Sequence, residues 1–132
     1  MTNFTEFERA TMLDLIRIAN RQKGKTSPNP VTAAAIIKDE QVISLGIHQY
    51  AGGPHAEVLA IESINEKEGV DLSDATLLVN LEPCTHEGRT PPCTDAIIRS
   101  GIKRVIYAMA DPNPKVRSLP ADDVLRAAGI DV

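Results

Sequence analysis

Thr5 and Glu8 stand three residues apart, ahead of Leu13, Ile16 and Ala19, an apolar series at helical spacing that runs toward Gly24. Threonine and glutamate at that separation form a capping box, so the pattern predicts a first helix. Pro28 and Pro30 in KTSPNP break it, because proline cannot continue a helix and pushes the residue before it toward extended geometry. AAAIIK (33–38) and QVISLGI (41–47), parted only by Asp39 and Glu40, are apolar and β-branched over strand lengths. They predict a hairpin.

Beyond GGP, the positions of Val58, Leu59, Ile61 and Ile64 follow a period near 3.6 and predict a helix over 54–67. ATLLVNL (75–81) is a continuous apolar run, the signature of a central strand covered on both faces. Thr94 and Asp95 predict the start of a third helix and Gly101 its stop, KRVIYAMA (103–110) a further strand, and 120–128 a closing helix ended by Gly129. Helices alternating with strands after an initial hairpin predict an α/β fold, a mixed sheet sandwiched between helices. No internal repeat or low-complexity linker divides the chain, so residues 1–132 read as one domain.

Composition narrows the partners. Fourteen basic residues against 18 acidic ones give a formal charge of −4, and tryptophan is absent. Such a surface offers neither the field nor the stacking platforms that long nucleic acid requires. No stretch approaches the roughly 18 consecutive apolar residues of a membrane helix, and MTNFTEFERATML lacks a basic-then-apolar leader. The expectation is a soluble, cytoplasmic protein with no membrane partner.

Chemistry concentrates in two segments. PHAE places His55 and Glu57 at the entrance of the second helix, and EPCTHEGRTPPC places the only two cysteines, Cys84 and Cys93, around the entrance of the third. One imidazole and two thiolates suit Zn²⁺, and three protein ligands leave a fourth position for water or substrate, as in catalytic zinc sites. His86 offers a fourth ligand and hence a closed structural site; a Cys84–Cys93 disulfide or two inert thiols are the other readings. Glu57, two residues beyond His55, is close enough to reach a water at the metal without being a ligand. It could then carry that water's proton to a leaving amine, which is hydrolytic deamination in outline. Helix N-termini beside the cysteines would help hold both as thiolates. H-x-E followed by P-C and a second cysteine matches the signature of zinc nucleobase deaminases, with eight residues between the cysteines in place of two.

Together with PNP (28–30), GIH (46–48), AGGPHAE (51–57), LEPCTHEGRTPPCTDAII (81–98) and DPNPKV (111–116), these motifs make the chain resemble the deaminase domain of the bifunctional riboflavin-biosynthesis deaminase/reductase, in the cytidine-deaminase-like superfamily. The resemblance implies a three-layer α/β/α fold, one zinc ion per chain, and removal of the 2-amino group from 2,5-diamino-6-(5-phosphoribosylamino)pyrimidin-4-one. It implies His55, Cys84 and Cys93 as zinc ligands and Glu57 as the catalytic proton shuttle. Asn29, His48, Arg89, Thr90, Asp111 and Asn113 fall where that family contacts its aminopyrimidine ribosyl phosphate substrate. It also suggests a homodimer or homotetramer. The family's reductase domain is missing from residues 1–132, and GIDV is where its last deaminase strand would start. NPVTAA carries Ala33 where the family usually has glycine, and RSLP replaces a glycine-containing loop. Deamination of a related aminopyrimidine or aminopurine is the neighbouring reading, and a catalytically silent zinc-stabilised binding subunit is the alternative from another class.

Overall fold

The computed structural model describes residues 4–21, 32–48, 55–65, 70–85, 92–110 and 120–132. Helix α1 covers Glu6–Arg21, strands β1 and β2 cover Ala33–Lys38 and Gln41–Ile47, and helix α2 covers Ala56–Asn65. Strand β3 (Thr76–Leu81), helix α3 (Cys93–Ser100), strand β4 (Arg104–Met109) and helix α4 (Ala121–Ala127) complete the series.

The expected capping box forms: Glu8 N–H donates to Thr5 Oγ1 at 3.1 Å and Thr5 N–H to Glu8 Oε1 at 2.9 Å. The start of α1 is therefore set by its own sequence. Asp39 and Glu40 take positive φ values of 53° and 57°. Two such residues in succession give the turn whose twist matches a tight hairpin, so β1 and β2 pair antiparallel as expected. The α3 start differs by one residue, at Cys93 with Pro92 ahead of it, and Gly101 ends the helix in the left-handed conformation at φ 89°.

The strands form one mixed sheet in the order β2-β1-β3-β4. β1 pairs antiparallel with β3, and β3 runs parallel to β4. β3 is thus the buried central strand that its apolar run predicted. Asp131 starts a further parallel bridge beside Arg104, where a last strand was expected. Alternate residues of β1 and β3 feed two separate cores. Ala33, Ala35, Ile37 and Leu78 pack under α1 against Leu15 and Ala19. Ala34, Ile36, Leu77 and Val79 pack under α2, α3 and α4 against Ala60, Ile64, Ile97 and Leu125. The result is the three-layer α/β/α arrangement, with the Ala33 methyl filling the α1-side core. No helix among the described residues is long and apolar enough to cross a membrane.

Candidate metal centre

His55 directly precedes α2, its carbonyl accepting the Leu59 N–H at 3.0 Å. Cys84 lies three residues past the end of β3, and Cys93 opens α3. A parallel β3–β4 pair and two helices on one face bring these points together at one end of the sheet. Close approach of α2 to the sheet depends on Gly46 of β2. A Cβ there would overlap Ala56 O and lie 2.7 Å from Ala60 N, both backbone atoms. Ser44, one rung away, donates its hydroxyl to Ala60 O at 2.6 Å and fixes the helix at that distance.

One ligand atom from each of His55, Cys84 and Cys93 lies within 4.8 Å of the other two. His55 Nδ1 is 3.1 Å from Cys93 Sγ and 3.7 Å from Cys84 Sγ. A tetrahedral zinc ion at its usual bond lengths would hold nitrogen and sulfur about 3.5 Å apart, so the donor set fits that ion. The cysteines are not joined to each other. Cys93 N–H, at the first position of α3, donates to Cys84 Sγ at 3.1 Å, and Thr94 N–H donates to Cys84 O at 3.2 Å.

Electrostatics divides the two thiols. The hydrogen bond from the Cys93 side chain, aided by bonds from His55 and the Cys93 N–H, brings the Cys84 thiol down to about 4. Cys93 is pushed up, because its proton is held on Cys84, burial disfavours a second anion, and Glu57 and Cys84 repel one. A single shared proton therefore serves both sulfurs until a cation replaces it. His55 is raised chiefly by its hydrogen bond to Cys84, against the opposing effect of burial.

Glu57 is 3% exposed, in the first turn of α2. Desolvation raises its carboxyl to about 7, outweighing the backbone N–H that favours the anion. Its Oε1 is buried with no hydrogen-bond partner among the described residues. An orphaned acceptor beside the donor cluster is what a water would satisfy. His48 follows β2, is 1% exposed, and sets its ring edge-on to His55 with centroids 5.2 Å apart. It is the one expected substrate contact among the described residues; Asn29, Arg89, Thr90, Asp111 and Asn113 lie outside them, as does His86.

Two residues escaped the sequence reading. Gly46 was visible within GIH, and a glycine inside a strand is itself a signal of close backbone approach. Glu82 stood in LEPC with no role attached. It is 5% exposed, and its Oε2 accepts the Ala121 N–H at 2.9 Å, a contact 39 residues away that no local pattern announces.

Residues 5–109 match the profile of the cytidine and deoxycytidylate deaminase zinc-binding region. The chain is 50% identical over 127 residues to the riboflavin biosynthesis protein RibD of Aquifex aeolicus, covering 96% of this chain and 34% of that protein. To the Escherichia coli RibD it is 46% identical over 123 residues, covering 92% and 32%. Among solved structures it superimposes on the diaminohydroxyphosphoribosylaminopyrimidine deaminase/5-amino-6-(5-phosphoribosylamino)uracil reductase of Thermotoga maritima with a TM-score of 0.87 at 48% identity, over 96% of this chain and 35% of that one. The chain spans about a third of the length of these relatives.

Proposed function

The chain belongs to the family of the cytidine and deoxycytidylate deaminase zinc-binding region, and on that premise we propose that it is a zinc-dependent hydrolytic deaminase. Its proposed substrate is 2,5-diamino-6-(5-phosphoribosylamino)pyrimidin-4-one. The observation that carries the reading is the buried, unpartnered Glu57 Oε1 beside the His55, Cys84 and Cys93 donor cluster. Similarity to RibD proteins over nearly the whole chain supports the substrate.

His55, Cys84 and Cys93 would hold the ion. When bound, zinc supplies the Lewis acidity that makes water a nucleophile near neutral pH. Glu57 takes a proton from that water as its oxygen adds to C2 of the pyrimidine. The same carboxyl then gives the proton to the 2-amino nitrogen, the C2–N bond breaks with loss of ammonia, and the C2 hydroxyl proton passes to a ring nitrogen to leave the C2 carbonyl. Desolvation, which raises this carboxyl's hold on a proton, suits a group that must take one up and return it.

His48, edge-on to His55, is assigned to the pyrimidine. Asn29 is assigned to the donor and acceptor pair on the ring edge, and Arg89 with Thr90 to the phosphate, for which a guanidinium is suited. Asp111 and Asn113 complete the proposed contacts to the ribosyl phosphate; these five rest on the family resemblance. The proposal extends to a cytoplasmic location, where thiol ligands stay reduced, and to a homodimer or homotetramer.

The test is ammonia release by purified protein whose zinc content has been measured. About one zinc per chain and release from the diaminopyrimidine phosphate are expected. Release only from another aminopyrimidine or an aminopurine would replace the substrate. Zinc without release from any of them would make the chain a silent binding subunit.

A further inference from the structure

Glu82 joins three elements at one point. Its N–H donates to Met109 O at 2.9 Å, extending the β3–β4 ladder past Leu81 and Met109. Its Oε2 receives the Ala121 N–H at 2.9 Å, the first residue of α4. The residue ahead of α4 is Pro120, which makes no side-chain cap of its own, so Glu82 is what satisfies this helix start. Tyr107 OH donates to Asp122 Oδ1 at 2.6 Å and ties the same turn of α4 to β4 independently.

From Glu82 only Pro83 separates this junction from Cys84, and proline's fixed φ leaves little freedom between them. On its other side Cys84 is held by α3, through Thr94 N–H on its carbonyl and Cys93 N–H on its sulfur. The sulfur is therefore held between two anchors, one of which is the Glu82 carboxylate.

We propose that Glu82 is a positioning residue for Cys84, holding that sulfur at metal-binding distance from His55 and Cys93 by locking the end of β3 onto α4. The inference rests on the zinc reading above. It assigns Glu82 no contact with metal or substrate.

The experiment measures zinc affinity of the full chain by competition with a chromophoric chelator, and the thiolate-to-metal and d–d absorption of the cobalt(II)-loaded protein. Glu82→Ala should weaken zinc binding about tenfold, in the range of losses from groups that orient ligands, and shift the cobalt bands. Glu82→Gln keeps an oxygen for the Ala121 N–H and should restore both. Glu82→Asp, one methylene short, should fall between, so the Gln and Asp pair decides the matter if the alanine variant does not fold. Tyr107→Phe removes a tie between β4 and α4 that does not pass through Glu82, and should lower thermal stability while costing much less zinc affinity than Glu82→Ala. Unchanged affinity in both Glu82→Ala and Glu82→Asp would overturn the inference, and so would equal loss of affinity in Tyr107→Phe. Wild-type protein that takes up no zinc would instead overturn the proposed function.

Discussion

The start of α1 and the starts of α3 and α4 solve the same problem in opposite ways. At α1 the capping groups are Thr5 and Glu8, both within its own first turn. At α3 and α4 the residue ahead of the helix is a proline without a side-chain cap, and the acceptors arrive from elsewhere. Cys84 Sγ serves Cys93 across nine residues, and Glu82 Oε2 serves Ala121 across 39. A helix that caps itself needs nothing from the rest of the chain. A helix finished by a distant anion fixes where that anion sits, so the same hydrogen bond builds the fold and aims a functional group. The α1 cap has its own outward link, through Glu8 to Arg104, but that ion pair lies at the start of β4 and away from the cluster.

The contrast can be broken by substitution, and the largest effect is expected at the site. Glu57→Gln should lower turnover by about 10²- to 10⁴-fold while zinc content stays near that of the wild type. Survival of both activity and zinc binding would remove Glu57 from the mechanism. In the zinc-free protein the same variant carries a pH signature. The Glu57 carboxyl rises from 4.5 to about 7 on folding, so the folded state binds the extra proton. Its stabilising contribution is complete below 4.5 and is lost as pH rises through 7. Thermal midpoints of wild type and Glu57→Gln should therefore diverge across that window, with the glutamine variant gaining on the alkaline side. Parallel curves would contradict the burial account.

Gly46→Ala ranks next, at about 1–3 kcal/mol of lost stability from overpacking, because the new methyl meets backbone on both Ala56 and Ala60. Urea unfolding measures it, and a shift of α2 should also weaken zinc binding through His55. A neutral result would mean that α2 tolerates displacement. Thr5→Ala is the smallest, about 1 kcal/mol for a lost cap, with zinc content and turnover unchanged. Damage to either would erase the distinction between self-capped and remotely capped helices.

Sequence patterns revealed what is local. The capping box at Thr5, the two-residue turn at Asp39 and Glu40, and the apolar run of β3 each depend on residues a few positions apart. The metal cluster was legible for another reason: histidine and cysteine are scarce here, so three segments carrying them had few other partners. What escaped depends on distance through space. Thr94 looked like the start of α3 because hydroxyl side chains usually cap, yet the helix begins at Cys93, whose N–H is taken by Cys84. Two thiolates were expected from helix N-termini alone. That Cys84 Sγ takes the Cys93 N–H and leans on its neighbour's thiol proton is something only their separation can reveal. Glu82 was invisible because its partner lies at the far end of the chain.

Besides the hydrogen bonds that join them, the two cysteines have anchors of their own on either side of the spacer THEGRTPP. Cys84 is set by the end of β3 and Cys93 by the first turn of α3, so the interval between them could lengthen or shorten with the metal geometry intact. Going from two intervening residues to eight is two doublings, on the order of 1 kcal/mol of closure entropy. A scaffold built this way can exchange the peptide between its cysteines to suit a new ligand and keep the reactive centre it already has.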